Sequence, residues 1–554
     1  MEQTPARPGI VPPVAAAAGT LVVLLFLVWP LPLHLGEARP VSTFGDSHVW
    51  VMDHLFRAWT GEVDLEPTCR AGYPALSTMR PIAQVPAVAA AFLRVVMGPL
   101  AAANVVQLLG LPAAAAAAAV LLRRWTGVAG AAAAALGMTW ALCPTLLGTF
   151  ATQEISNTQA WVLPLFLMLL DGRRWVGVAA AAVLAFAAAF TSPYYALSLP
   201  LLWGGAVFLA AAGGRDRLPR LAALGGATAA GLWPASWYYH PAPSGGGQSV
   251  FQPARRFEAL VADVPEPAPV ADPIALVFES GVGPVDPAEI QHVVYLGLGL
   301  AVAAVALSVW RRRLPARGGA LLLGGAVLSF GPLLAWQGSY TAAGTWLRLP
   351  VFWLEALGYP TGLGGMYYRY AVLPALGLVV MVAQGLAGHR RAVPAALGLL
   401  ALQLADGLRV TGPAWPRPLA VVEDAEVLES MKGSDGAVLD LPWQAPGDAA
   451  SGQSALLDAA LHGRPVAAVP RDPEGIWRPL KFVASDLEAR PEAAALLARK
   501  GIRFVRLSGP DRGPREQALA QALGEPVHRG AFTLWDVGPT SLRCEAPPLS
   551  RGPR

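Results

Sequence analysis

Apolar runs of about 18 to 22 residues recur along the first three quarters of the chain, separated by short polar breaks. A run of that length, coiled as a helix, crosses the ~30 Å hydrocarbon core of a bilayer. The pattern predicts about eleven spans, over 13–33, 100–122, 128–147, 157–171, 175–192, 194–213, 219–237, 291–310, 318–337, 367–387 and 392–409. The fourth is short and fits a tilted or partly re-entrant segment. Alanine and glycine dominate many runs, and small residues let helices pack closely in lipid. After residue 409 the pattern changes. Residues 436–441, 502–507 and 532–536 read as strands, and 454–462 and 492–500 as helices, which predicts a small α/β domain. The expected fold class is therefore mainly α: a polytopic helical membrane domain over 1–409, then a soluble domain over 410–554.

Arginines test this layout. Arg123-Arg124, Arg173-Arg174, Arg215 with Arg217 and Arg220, Arg311 to Arg313, and Arg390-Arg391 fall at every second boundary. Basic residues stay cytoplasmic. The N-terminus is then inside, and the C-terminal domain is periplasmic or extracellular, at a bacterial inner membrane. Arg7 precedes the first run, and Trp29-Pro30-Leu31 rather than a small-x-small site follows it, so the first span is read as uncleaved. Parity requires that 82–98, with Pro86, Arg94 and the adjoining Pro99, lie on the outer leaflet as an interfacial helix. Asp46 to Trp59 reads as a second such helix, with Val49, Met52, Phe56 and Trp59 on one face. Three outer loops, 34–99, 238–290 and 338–366, are long, while the cytoplasmic turns are short. Chemistry is expected outside.

Composition supports lipid exposure. The chain is 54% hydrophobic and 14% charged, against about 25% charged in soluble proteins. The net charge of +4, with no basic run among aromatics, points away from nucleic acid. Of three cysteines, Cys143 reads as a core residue, and Cys69 and Cys544 fall on the outer side, where a disulfide survives. There is no Cys-x-x-Cys, Walker loop, His-Glu-x-x-His or Gly-x-Ser-x-Gly.

Acids in the outer loops carry the candidate chemistry. Asp46, in Phe44-Gly45-Asp46-Ser47-His48, follows the first span by about a dozen residues. It is placed to take a proton from an attacking hydroxyl, as sugar transfer at a membrane surface requires; the alternative is an Asp-Ser cap on the following helix. Glu154 lies in the outer turn Thr152-Gln153-Glu154-Ile155-Ser156-Asn157-Thr158-Gln159. It can orient an acceptor or hold a divalent metal, or belong to a solvated turn with Asn157 capping the next helix. His48, Asp53 and His54 share loop one, the last two as the polar face of its helix. Arg369, in Met366-Tyr367-Tyr368-Arg369-Tyr370, can clamp a phosphate or snorkel among belt tyrosines. Arg255-Arg256 is a weaker phosphate candidate. Tyr194 and Tyr195 are substrate-binding candidates or a simple aromatic belt.

Taken together, the chain resembles the GT-C superfamily of membrane glycosyltransferases, in a bacterial form. The resemblance rests on order and placement over the whole chain: an early Gly45-Asp46 in a long outer loop, juxtamembrane helices after it, and Gln159-Ala160-Trp161-Val162-Leu163-Pro164-Leu165 at the entry to a middle span. Thr191-Ser192-Pro193-Tyr194-Tyr195, Tyr295-Leu296-Gly297, Phe330-Gly331-Pro332-Leu333 and a late outer Arg369 follow. Two positions depart from the pattern: Thr152-Gln153-Glu154 stands where Gly-His is frequent, and Ser47 rather than a second acid follows Asp46. The resemblance implies inverting transfer from a polyprenyl-phosphate sugar to a glycan, lipid or protein acceptor. Asp46 is then the base, Glu154 an orienter or ligand of a possible divalent metal, and Arg369 the phosphate clamp. His48, Asn157, Gln159, Tyr194, Tyr195 and Tyr368 would bind substrate. No other cofactor is implied. A flippase or transporter of a lipid-linked or polar molecule, and a non-catalytic envelope scaffold, are the alternatives. Few charges within the spans and no inverted repeat weigh against transport.

Overall fold

The computed structural model describes residues 10–40, 45–64, 83–152, 154–171, 175–213, 215–238, 273–278, 293–312, 315–334, 348–357, 359, 367–412, 415–416, 418–422, 424–441, 449–467, 487–489, 492–509 and 512–542. Cys69, Cys544, Gln153, Arg173-Arg174, Arg255-Arg256 and Met366 lie outside these, as does nearly all of the loop 238–290. The chain divides into two compact units.

The first unit comprises residues 1–32, 106–240 and 249–418. Every apolar segment expected to span contains a helix: Val11–Leu27, Pro99–Thr126, Gly130–Ala141 with Pro144–Ala151, Val162–Asp171, Val176–Ala189, Pro193–Gly213, Leu218–Tyr238, Leu298–Arg311, Ala316–Ser329, Val372–Leu386 and Ala392–Val410. Among the described residues, four helices are long and apolar enough to cross a membrane outright: Pro99–Thr126, Pro193–Ala212, Tyr367–Leu386 and Ala392–Val410. The pair Gly130–Ala141 and Pro144–Ala151 makes a fifth, broken by a 54° bend. Pro144 has no N–H to continue the ladder, so the break falls there. Glycines let the helices cross closely. A Cβ on Gly377 would stand 2.5 Å from the Leu322 backbone nitrogen, and one on Gly137 would stand 2.5 Å from the Ala115 carbonyl oxygen. Backbones this near exclude any side chain at the crossing.

Arginine-bearing turns gather at one end of these helices. Arg317 donates to Asp171 at 2.6 Å, Arg217 reaches the same carboxylate at 3.5 Å, and the Arg317 guanidinium lies 5.2 Å over the Trp125 ring. Arg311 donates to the carbonyls of Gly385 and Ala387 at 3.1 and 3.0 Å.

The second unit comprises residues 33–105, 241–248 and 419–554. Loop one and the C-terminal segment thus form one body. Strand β1 (Ala38–Pro40) pairs antiparallel with β2 (Leu419–Val421), with Ala38 opposite Val421. Asn104 Nδ2 donates to the carbonyls of Leu35 and Ala38 at 2.8 and 2.9 Å. The main sheet contains β3 (Ala437–Leu441), β4 (Ile502–Leu507), β5 (His528–Arg529) and β6 (Thr533–Asp536) in the order β3-β4-β6-β5. The β3–β4 pair is parallel, and β6 pairs antiparallel with both β4 and β5. Leu439, Leu441, Leu497, Ile502, Val505 and Trp535 fill the core.

The helix Gly45–Trp59 is not the half-wet interfacial helix the pattern suggests. It packs against Gln84–Arg94 and Ala449–His462, so its polar side is covered as well. Asp53 and His54, expected on a solvated face, are 1% and 0% exposed. Burial is tolerated because Arg94 and Arg57 bind the two Asp53 oxygens at 3.0 and 2.8 Å, and the His54 ring stacks on Trp50.

Candidate functional site

Asp46 lies in the first turn of the helix Gly45–Trp59, one residue inside it, so it is not the cap that begins it. Only 3% of its surface is exposed. Arg39, carried on β1, holds the carboxylate with two guanidinium nitrogens, and its Nη2 donates to Oδ2 at 2.5 Å. Burial pushes the Asp46 carboxyl up to about 6, the Arg39 guanidinium opposes that rise, and the nearby Asp458 adds to it. His48, two residues along the same helix, is buried as well.

Asp458 belongs to a larger buried network. Arg506 on β4 donates to Asp440 on β3 at 2.5 Å and also to Asp458. Burial raises the Asp458 carboxyl, and Arg506 and Arg39 act against that rise. A chain of alternating charge therefore runs Asp440, Arg506, Asp458, Arg39, Asp46 within the second unit. Arg39, Asp440, Asp458 and Arg506 were not singled out from the sequence. A signal existed for one pair: in the parallel register Asp440, the one charge of its strand, stands opposite Arg506, one of two in its own.

In the first unit, Glu154 and Arg369 meet as a close ion pair. Glu154 is 6% exposed, so its turn is not solvated. The side chains of Glu154 and Arg369 are 8% and 12% exposed, which rules out a snorkelling arginine. The Arg369 guanidinium lies 4.5 Å over the Tyr194 ring and 5.7 Å from that of Tyr368, and its Nε donates to the Tyr368 hydroxyl at 3.3 Å. Tyr194 and Tyr195 are 5% and 3% exposed and form no belt. The Tyr195 hydroxyl donates to the Asn157 carbonyl, and Ser192 Oγ donates to Asn157 Oδ1 at 2.6 Å. Asn157 thus ties two turns together rather than capping the next helix. Trp161 Nε1 donates to Gln159 Oε1 at 2.9 Å. The amide nitrogens of Asn157 and Gln159 are buried and have no hydrogen-bond partner among the described residues. Unused amide donors suit sugar hydroxyls or phosphate oxygens, although the Gln159 nitrogen packs against Gly110.

A divalent metal finds no obvious seat. Among the described residues no three His, Cys, Asp or Glu side chains cluster to hold one, and Glu154 already faces a guanidinium. The donor set does not fit a metal centre.

No family model and no curated protein matches the chain's sequence. Solved structures do. The arabinofuranosyltransferase AftD from Mycobacteria is similar over 95% of this chain at 17% identity, with a TM-score of 0.53. The match covers 40% of AftD, so the chain spans about two fifths of that protein's length. The oligosaccharyltransferase of Archaeoglobus fulgidus, in its apo form, is 12% identical over 93% of this chain and 71% of its own, with a TM-score of 0.45. ArnT from Cupriavidus metallidurans, bound to undecaprenyl phosphate, is 12% identical over 95% of this chain and 98% of its own, with a TM-score of 0.47. The likeness to AftD shows the fold alone: along nearly its whole length this chain shares the helical architecture of that structure.

Proposed function

We propose that the chain is a membrane glycosyltransferase that moves a sugar from a polyprenyl-phosphate donor to an envelope glycan, lipid or protein, at the outer face of a bacterial inner membrane. The observation that carries this reading is the fold shared with AftD along nearly the whole chain. The residues are consistent with the chemistry. An acceptor hydroxyl attacks the anomeric carbon, and Asp46 takes its proton. The bond from that carbon to the phosphate oxygen breaks, and the polyprenyl phosphate leaves with the electron pair, inverting the sugar. A base that titrates near 6 is largely ionised at pH 7 yet still basic enough to accept a proton. Within the helical unit, Arg369 is the cation suited to a phosphate. Glu154 holds Arg369 in place until phosphate competes for it, a positioning role. Asn157 and Gln159 donate to donor oxygens, and Tyr194, Tyr195 and Tyr368 wall the guanidinium.

Release of free polyprenyl phosphate tests this directly. Membranes containing the protein are incubated with a panel of polyprenyl-phosphate sugars and envelope glycan acceptors, and the lipid products are measured by mass spectrometry. Wild-type membranes release polyprenyl phosphate from at least one donor, and Asp46→Asn membranes release about 10²–10⁴-fold less. Release by the Asn variant at the wild-type rate removes Asp46 from the mechanism.

A further inference from the structure

The helical unit contains a cavity of about 630 Å³, lined by none of the residues given a role in the proposed sugar transfer. The helices Pro193–Gly213 and Ala316–Ser329 wall it, with Leu167 and Leu373 also lining it. Gly205 and Leu209 on one wall and Gly324 on the other are exposed, so the cavity opens between the helices. A Cβ on Gly205 or Gly324 meets nothing within 4 Å. In a chain that spans a bilayer, such an opening faces acyl chains rather than water. The volume is that of an ordinary ligand site, within about 300–1,000 Å³.

The mouth is charged. Asp171, Asp216, Arg217 and Arg317 line it. Asp171 alone takes both guanidiniums, at 2.6 Å from Arg317 and 3.5 Å from Arg217. Arg220 lies within electrostatic reach of Arg124, Asp171 and Arg217. Arg217 and Arg317 balance Asp171 and Asp216 in the lining itself, and Arg220, with Arg124 in reach of it, adds positive charge behind it among the described residues. Trp125, beneath Arg317, marks the border between the charged mouth and the apolar slot. A slot of this polarity is complementary to an amphipathic anion, with phosphate on the arginines and hydrocarbon behind.

We propose that this cavity binds an anionic glycerophospholipid of the surrounding bilayer, with one acyl chain between the two helices and its phosphate on Arg217 and Arg317. Asp46, Glu154 and Arg369 are not among its lining residues, and the proposal rests only on the unit being membrane-embedded.

Native mass spectrometry of the full chain in mild detergent tests it, using phosphatidylglycerol, phosphatidylcholine and inorganic phosphate as separate probes. Phosphatidylglycerol is expected to bind at least about fivefold more tightly than phosphatidylcholine, and inorganic phosphate to leave Tm unchanged. Arg217→Gln with Arg317→Gln abolishes the headgroup preference. Gly205→Leu with Gly324→Leu fills the slot and reduces phosphatidylglycerol binding to background at unaltered Tm. Should the arginine pair fail to fold, the leucine pair decides, because its side chains enter open space and remove helix-weakening glycines. Equal affinity for the two lipids, phosphatidylglycerol binding that survives the leucines, or inorganic phosphate matching the lipid overturns the proposal.

Discussion

Replacing Arg39 by Gln removes the counter-charge from a carboxylate that is 3% exposed and already titrates at about 6 rather than 3.8. At ~1.4 kcal/mol per pH unit, that gap corresponds to about 3 kcal/mol between the charged and neutral forms. The sign follows from proton binding. Between 3.8 and about 6 the folded unit holds a proton that the unfolded chain has released, so stability falls as pH rises through that window and levels off above it. Without Arg39 the carboxyl titrates higher still, and the decline extends beyond 6. At pH 8 the variant keeps a buried unpaired charge, a defect of about 3–5 kcal/mol when one partner of a buried pair is removed. Protonation relieves it at pH 5. Hydrogen exchange of the peptide covering Gly45–Trp59, corrected for intrinsic rates, measures the local opening. The expectation is about 10²–10⁴-fold faster exchange in the variant than in wild type at pH 8, with a smaller difference at pH 5. Asp46→Asn is expected to remove the wild-type slope between pH 4 and 6. Wild-type exchange with no such slope, or an Arg39→Gln curve that overlays it, refutes the electrostatic reasoning.

Arg506→Met should destabilise the second unit by about 3–5 kcal/mol, because Asp440 and Asp458 are left without their cation, whereas Asp440→Leu, Asp458→Leu and Arg506→Met together should recover most of that loss; exchange protection of β3 and β4 reads both. Arg369→Lys should fail to restore the wild-type Tm, since a point charge cannot reproduce the stack on Tyr194 together with the Glu154 pair, and a Lys variant as stable as wild type would count against that geometry. Gly377→Ala places a methyl against the backbone of Leu322 and Gly318 and should lower stability in detergent by about 1–3 kcal/mol.

Much of the helical unit was legible because lipid imposes length and apolarity on every span, and both leave local marks. All the strands and helices expected after residue 409 also appear, each announced by its own pattern. The partnership of loop one with the C-terminal segment was not legible. Ala38 and Val421 pair across most of the chain, and three-residue strands carry no signal of their partner. The burial of Asp53 and His54 was hidden for the same reason: amphipathicity shows which face is polar, not whether a second element covers it. Glu154 and Arg369 were both identified, but their contact depends on how two distant turns meet, which no local spacing records. Arg39 escaped notice because a lone arginine beside a proline in a loop is ordinary until a buried carboxylate lies next to it.

Asp46 bears the central claim, and a strain comparison probes it most directly. Envelope glycans are profiled in cells lacking the protein, in cells restored with wild type, and in cells restored with Asp46→Asn at equal membrane abundance. If Asp46 is the base, the Asn strain shows the same glycan loss as the deletion. Full restoration of the wild-type profile by the Asn protein contradicts the account.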